Sequence, residues 1–167
     1  MVDSDDGPAP EARPPSVADL VALCRNLNEA HARYLVLGGM AIIQAGLVRA
    51  TEDIDLLIDT SVENIERVKA ALMKLPDGAV RDVANDDLES YVVVRVADEI
   101  VVDLMKAACG IEYEEAHRMV NVVTIDGVPI PFANPLLLWR TKQTMREKDR
   151  LDRVFLAHLL GHPQPEQ

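Results

Sequence analysis

The chain has 167 residues, enough for one domain around a single core, and its 49% hydrophobic and 27% charged residues describe an ordinary globular protein. Twenty-eight Asp and Glu against 17 Lys and Arg leave a formal net charge of -11, which argues against extended DNA or RNA binding, because neutralised phosphates supply most of such affinity. No apolar run approaches the roughly 20 residues that span a bilayer, and the acidic start (Asp3, Asp5, Asp6) lacks the basic and apolar regions of a secretory signal, so a cytoplasmic protein is expected.

Residues 1–15, rich in proline and acid, predict a disordered tail. Ser16 is placed to cap a helix, in which Val17, Leu20, Val21, Cys24, Leu27 and His31 recur at helical spacing through about Ala32. Cys24 and Cys109 are too few for a disulfide framework and read as reduced structural thiols. Tyr34-Leu35-Val36-Leu37 predicts a buried strand stopped by Gly38-Gly39, and Met40 to Ala45 a short helix ending at Gly46. Asp53 to Ile58 is the next strand. Thr60-Ser61-Val62-Glu63 has the capping-box pattern, and Val62, Ile65, Val68 and Leu72 mark a helix that Pro76-Asp77-Gly78 ends.

The β-branched runs Tyr91–Val96 and Ile100–Leu104 predict a hairpin around Ala97-Asp98-Glu99. Ile111 to Arg118 predicts a short helix. Asp126-Gly127 joins Val120–Ile125 to Val128–Pro131 in a second hairpin, and Pro129 and Pro131 place its last strand at a sheet edge. Asn134-Pro135 opens a helix with Leu136–Trp139 and Met145 on its apolar side. A final helix from about Lys148 is expected to turn Leu151, Val154, Phe155 and Leu159 inward, with 161–167 a tail. The whole reads as one domain over 16–160 in the α/β (α+β) class: a mixed β-sheet flanked by helices, with a helical C-terminal segment.

Three features carry chemistry. In Asp53-Ile54-Asp55, residues two apart on a strand share a face, so both carboxylates project together while Ile54 and Leu56 enter the core. Hard oxygen ligands so placed suit Mg²⁺; two solvated acids at an exposed strand start would give the same tripeptide. Gly38-Gly39 between a strand and a helix lets backbone N–H groups approach a phosphate, or simply makes a turn. It is neither a P-loop nor a dinucleotide fingerprint. Asp103 interrupts the apolar run Val101-Val102-Asp103-Leu104-Met105, where an unpaired buried charge is costly. A metal shared with Asp53 and Asp55 accounts for it, as does a strand edge facing water.

The later cluster Arg140, Lys142, Arg146, Lys148, Arg150 and Arg153 reads either as a solvated face with Glu147, Asp149 and Asp152 as ion partners or as a seat for phosphate, with Lys142 its functional member. His158 and His162 lack the context of a zinc site, and Trp139 reads as core rather than a base-stacking platform.

Together these residues resemble the DNA polymerase β-type nucleotidyltransferase superfamily, whose pattern is a Gly-Gly or Gly-Ser turn, a D-x-D or D-x-E strand and a third carboxylate on a neighbouring strand. The match runs from about residue 34 to 105. The stretch Gly38-Gly39-Met40-Ala41 … Gly46 … Arg49-Ala50-Thr51-Glu52-Asp53-Ile54-Asp55-Leu56 is most similar to the minimal branch that includes nucleotidyltransferase toxins of toxin–antitoxin and abortive-infection systems. The resemblance implies two-metal transfer of a nucleoside monophosphate from a nucleoside triphosphate, ATP among them, to a hydroxyl. Asp53 and Asp55 would hold the triphosphate-bound Mg²⁺, and Asp103 would join them on a second ion and help deprotonate the hydroxyl. Gly38 and Gly39 would bind phosphate through backbone groups alone, since the Ser of many relatives is missing. Arg49 and Thr51 belong to the motif, with Arg49 either touching phosphate or bracing its loop through an acid. The acceptor implied is an RNA or tRNA end, with an antitoxin protein as partner. A small molecule of antibiotic type is the alternative acceptor, and an idle nucleotide- or protein-binding domain the third reading.

Overall fold

The computed structural model describes residues 11–161. The parts of the expected tails over 1–10 and 162–167, and with them His162, lie outside the described residues.

Helix α1 (Val17–Glu29) starts where Ser16 and Asp19 exchange hydrogen bonds: the Ser16 hydroxyl accepts from Asp19 N (3.2 Å) and the Asp19 carboxylate from Ser16 N (2.7 Å). This satisfies two otherwise orphaned N–H groups. Arg13, just ahead, pairs with Asp19 (2.6 Å) and Glu99 (3.0 Å). Leu20, Val21, Leu23, Cys24 and Leu27 form the buried face. Val17 and His31, expected on it, are exposed, because the helix stops at Glu29 and His31 takes a left-handed backbone (φ 57°).

Strand β1 (Tyr34–Leu37) is buried throughout and passes directly into α2 (Gly38–Ala45), which begins two residues earlier than Met40. Strand β2 (Asp53–Ile58) follows, then α3 (Val62–Leu72). The cap of α3 is Ser61, whose hydroxyl accepts from Asn64 N (3.3 Å), one residue later than Thr60 of the capping-box reading. That shift brings Asn64, only 1% exposed, under the start of β1 and the end of β2. Its side-chain oxygen accepts from Arg33 N (2.7 Å), and its amide donates to the carbonyls of Arg33 (2.9 Å) and Asp59 (2.7 Å).

A 3₁₀ turn (Ala79–Asp82) and α4 (Asp87–Ser90) lead to β3 (Val93–Ala97) and β4 (Val101–Met105). Their hairpin turns at Asp98–Ile100, one residue later than expected. Asp98 accounts for this: its carboxylate accepts from the backbone N–H groups of Asp77, Ala79 and Glu99, which anchors the turn to the preceding segment. Next come β5 (Ala107–Ala108), β6 (Ile111–Glu112) and α5 (Tyr113–Ala116). The helix expected from Ile111 to Arg118 is thus shorter. Cys109 (φ 46°) and Gly110 (φ 78°) make a tight turn that pairs Ala108 with Ile111 as a small ribbon.

The second hairpin, β7 (Val120–Ile125) and β8 (Val128–Ala133), turns on Asp126 (φ 49°) and Gly127 (φ 78°) as its dipeptide dictates. The six-stranded sheet has the order β3-β4-β2-β1-β8-β7, with β2–β4 and β1–β8 parallel and the other neighbours antiparallel. So β8 lies inside the sheet and β7 is the edge, contrary to the proline reading. Pro129 and Pro131 have no N–H to give, and the β1–β8 ladder is correspondingly confined to one register, Val36 with Phe132.

Asn134 caps α6 (Pro135–Thr141) by accepting from Leu137 N (2.9 Å). The helix ends before Met145, which is fully exposed rather than part of an apolar side. A 3₁₀ turn (Glu147–Asp149) precedes α7 (Arg150–Leu160), which buries Asp152, Leu156 and Ala157. Leu151, Val154 and Leu159 face outward, so the helix is rotated from the expected face. Helix α1 packs on α3 and β8, and α2 on β1, β2 and α6. Among the described residues no helix is long and apolar enough to cross a membrane.

Because Asn64 alone satisfies three backbone groups, Asn64→Ala is expected to destabilise the fold by about 3 kcal/mol. Chemical denaturation measures this, and a loss below about 1 kcal/mol would show that water replaces those bonds.

Candidate active site

Parallel pairing of β2 with β4 sets Asp55 directly beside Asp103, and the period of the strand carries Asp53 to the same face. One carboxylate oxygen of each lies within 4.8 Å of the others, so the convergence required for a shared cation is present. Ile54 and Leu56, wholly buried, hold the strand from the opposite face.

The Gly38-Gly39 turn is built against these acids. The β1–β2 register sets Leu37 opposite Asp55. Gly38 has φ +62°, and a Cβ there would lie 1.9 Å from Asp55 Oδ2. A Cβ on Gly39 would lie 2.3 Å from Thr51 Oγ1. Only glycines let the strand–helix turn approach both the acid and the loop so closely. Thr51 Oγ1 in turn donates to the carbonyl of Asp53 (3.1 Å), tying the loop to the start of β2.

Arg49 braces its loop through an acid, one of its two readings. Its guanidinium donates to Ala50 O (2.7 Å) and meets Asp152 of α7 at 2.9 Å. Asp152, 1% exposed, also pairs with Lys142 Nζ (3.1 Å). Lys142 is itself buried and reaches Asp149 at 3.1 Å. Burial alone would raise the Asp149 carboxyl, but Thr144, Lys142 and Arg146 outweigh it and hold it below its ordinary range. Of the other cluster cations, Arg140 pairs with Glu115 (2.8 Å), Arg150 with Glu147 (3.5 Å), and Arg153 donates to the carbonyls of Lys142 and Thr144. Lys148 has no ion-pair partner among the described residues. Trp139 packs partly buried against the core.

These groups line a cleft of about 700 Å³ that holds all three acids, Gly39, Arg49, Thr51, Lys142, Arg146 and Lys148, and whose lining contains no aromatic side chain. Burial pushes the Asp55 carboxyl up to about 7, aided by the charges of Asp53 and Asp103 and opposed by Lys142 and Lys148. Asp53 is raised by burial and by Asp103. Three carboxylates crowded onto one face are a fitting donor set for Mg²⁺; Asp53, Asp55 and Asp103 would hold it.

Arg95 of β3 was not legible as a site residue. It stands opposite Asp103 in the hairpin and donates from Nε to Asp103 Oδ1 (2.9 Å) and from its terminal nitrogen to Asp103 Oδ2 (3.0 Å) and Asp53 Oδ2 (3.3 Å). A turn centred on Ala97-Asp98-Glu99 sets Arg95 against Val101; only the true turn, one residue later, sets it against Asp103. Asp149 and Asp152, seen in the sequence as surface ion partners, are buried.

No protein-family model matches the chain, and no characterised protein matches it in sequence. Among the solved structures that share its architecture are two crystal structures. One is a candidate nucleotidyltransferase from Thermotoga maritima, 17% identical, covering 87% of this chain and 89% of that one with a TM-score of 0.51. The other is an antigenic nucleotidyltransferase-like protein from Paracoccidioides brasiliensis, 19% identical, covering 84% and 74% with a TM-score of 0.52. The chain has the nucleotidyltransferase fold. Within that fold the three acids sit together on β2 and β4 beside the α2 turn.

The raised Asp55 carboxyl has a stability consequence. The folded chain binds its proton more tightly than the unfolded chain, so stability is expected to fall as pH rises from about 4 through about 7. Melting curves in EDTA of wild type and Asp55→Asn should diverge in that window, the variant gaining at higher pH. Millimolar Mg²⁺ should raise the wild-type melting temperature more at pH 8 than at pH 5. Equal Mg²⁺ effects at both pH values would contradict this assignment.

Proposed function

We propose that this protein is a Mg²⁺-dependent nucleotidyltransferase that moves a nucleoside monophosphate from a nucleoside triphosphate to a hydroxyl. The observation that carries the reading is the convergence of Asp53, Asp55 and Asp103 within 4.8 Å beside a glycine turn, in a cleft that Arg95, Lys142, Arg146 and Lys148 also line. Bound magnesium would neutralise charge on the entering and leaving oxygens of an in-line displacement. Asp53 and Asp55 would hold the ion that accompanies the triphosphate. Backbone N–H groups at Gly38 and Gly39 receive phosphate oxygens at the start of α2. The acceptor oxygen attacks the α-phosphorus, the bond to the pyrophosphate oxygen breaks, and the hydroxyl proton passes to a carboxylate oxygen of Asp103.

Arg49 and Thr51 shape the nucleotide side of the cleft rather than reach far into it, since both are committed to loop contacts. Lys142 lines the same cleft but shares its charge with Asp149 and Asp152. Lys148 and the half-exposed Arg146 also line it and suit the triphosphate tail.

The acceptor best supported is the end of an RNA such as tRNA. The cleft offers Arg95, Arg146 and Lys148 for an acceptor phosphate and has no aromatic lining; the carboxylates of Glu52, Asp149 and Asp152, which also line it, are the feature that favours the alternative, a small amine-bearing acceptor. This is the activity of a cytoplasmic, toxin-like enzyme, with an antitoxin protein as its partner.

The test incubates the purified protein with Mg²⁺, each α-labelled NTP in turn and total tRNA, beside Asp53→Ala. Label is expected in RNA with one NTP preferred, and at least about a hundredfold less in the variant. Incorporation equal in both proteins would defeat the proposal. Mg²⁺-dependent NTP binding without labelled RNA would move the acceptor to a small molecule or protein.

A further inference from the structure

Arg95 lies on the outermost strand β3, and its side chain is 61% exposed. Its guanidinium nevertheless engages both oxygens of Asp103 and reaches Asp53 Oδ2. Those oxygens belong to two of the three carboxylates that converge at the base of the cleft. A guanidinium and a divalent ion draw on the same lone pairs, so they compete for Asp53 and Asp103. The arginine end of the pair is exposed while Asp103 is buried, so Arg95 can turn into solvent from its edge strand provided that another cation replaces it on the acids. Arginine also matches carboxylate and phosphate equally well, each through two parallel hydrogen bonds.

We propose that Arg95 is a latch that exchanges partners: it holds Asp53 and Asp103 in the empty cleft and passes to a phosphate oxygen of the incoming triphosphate when a divalent ion takes the carboxylates. The phosphate half of this exchange rests on the nucleotidyltransferase reading; the competition with metal does not. Charges balance throughout. Guanidinium–carboxylate and metal–phosphate pairs become metal–carboxylate and guanidinium–phosphate pairs, and no ion is stranded. A divalent ion arriving alone must expel Arg95 into water, whereas one arriving on a triphosphate brings the group that receives it. The latch therefore favours the metal–nucleotide complex over free metal.

The test titrates the full chain with Mn²⁺ alone, by calorimetry, for wild type, Arg95→Gln and Arg95→Lys, with circular dichroism melts to establish folding. A second titration uses Mn²⁺ with α,β-methylene-ATP and its GTP, CTP and UTP counterparts. Arg95→Gln is expected to bind Mn²⁺ alone about tenfold more tightly and the preferred analogue about tenfold more weakly. Arg95→Lys, which keeps the charge and loses the fork, should fall between on both. Unchanged Mn²⁺ affinity in a folded Arg95→Gln overturns the latch. Tighter metal with unchanged analogue affinity overturns the hand-over to phosphate. If wild type binds no analogue, the hand-over and the nucleotidyltransferase reading fall together, while the Mn²⁺ titration still decides whether Arg95 guards the carboxylates.

Discussion

Asp55 and Asp103 face each other because β2 and β4 run parallel and in register, and the pleat brings Asp53 to the same side. The backbone thus forces three like charges to within 4.8 Å. At an effective dielectric of about 20, two unit charges that far apart repel by about 3–4 kcal/mol. A domain whose whole stability is of order 10 kcal/mol cannot leave several such pairs uncompensated. The surroundings answer in two ways. Protons stay on Asp55 to an unusually high pH, chiefly through its burial and further through Asp53 and Asp103, and cations gather: Arg95 from β3, with Lys142 and Lys148 from the C-terminal segment. The arrangement of the cleft follows from this one repulsion.

A second layer of charge fixes the cations themselves. Lys142 sits between Asp149 and Asp152, and Asp152 also takes Arg49 from the loop before β2. These pairs are buried, so each partner is costly to remove even though the pairs add little net stability. Their effect is geometric. They tie the segment between α6 and α7 to the loop that carries Thr51, and Thr51 touches both the Gly39 turn and the carbonyl of Asp53. A displacement of the C-terminal helix is therefore felt at the acids through three side chains.

The same buried acids explain where the sequence misleads. Periodicity and turn chemistry together place α1, β1, β2, α3, the β7–β8 hairpin and the cap of α6, and the β3–β4 hairpin to within one residue, since in each the apolar residues and the turn chemistry agree. Periodicity misorients α7, because it sends Leu151, Val154 and Leu159 inward and has no reason to bury Asp152. The pairing with Arg49 and Lys142, 103 residues and ten residues away along the chain, overrides it. The proline rule likewise puts β8 at the edge; a single register with β1 is enough to enclose it. At the site, Asp53, Asp55, Asp103 and the two glycines are legible because their spacing is local and each breaks an expected pattern. Arg95 is not, because an arginine on an edge strand looks solvated until the hairpin register is known to one residue.

That register also decides how the cleft treats a polyanion. With a formal charge of -11, the chain as a whole repels nucleic acid and nucleotides alike. Screening at physiological salt limits the repulsion to about 8 Å, so what matters is the charge within a few ångströms of the acids. There Arg95, Arg146 and Lys148 face the cleft, and Arg95 and Lys148 also temper the field of Asp53. Both signs meet there, since Glu52, Asp149 and Asp152 line the same cleft as the three acids and the cations. The formal charge of the whole chain is therefore a poor guide to the cleft, where what counts is the set of charged groups within a Debye length of the three acids.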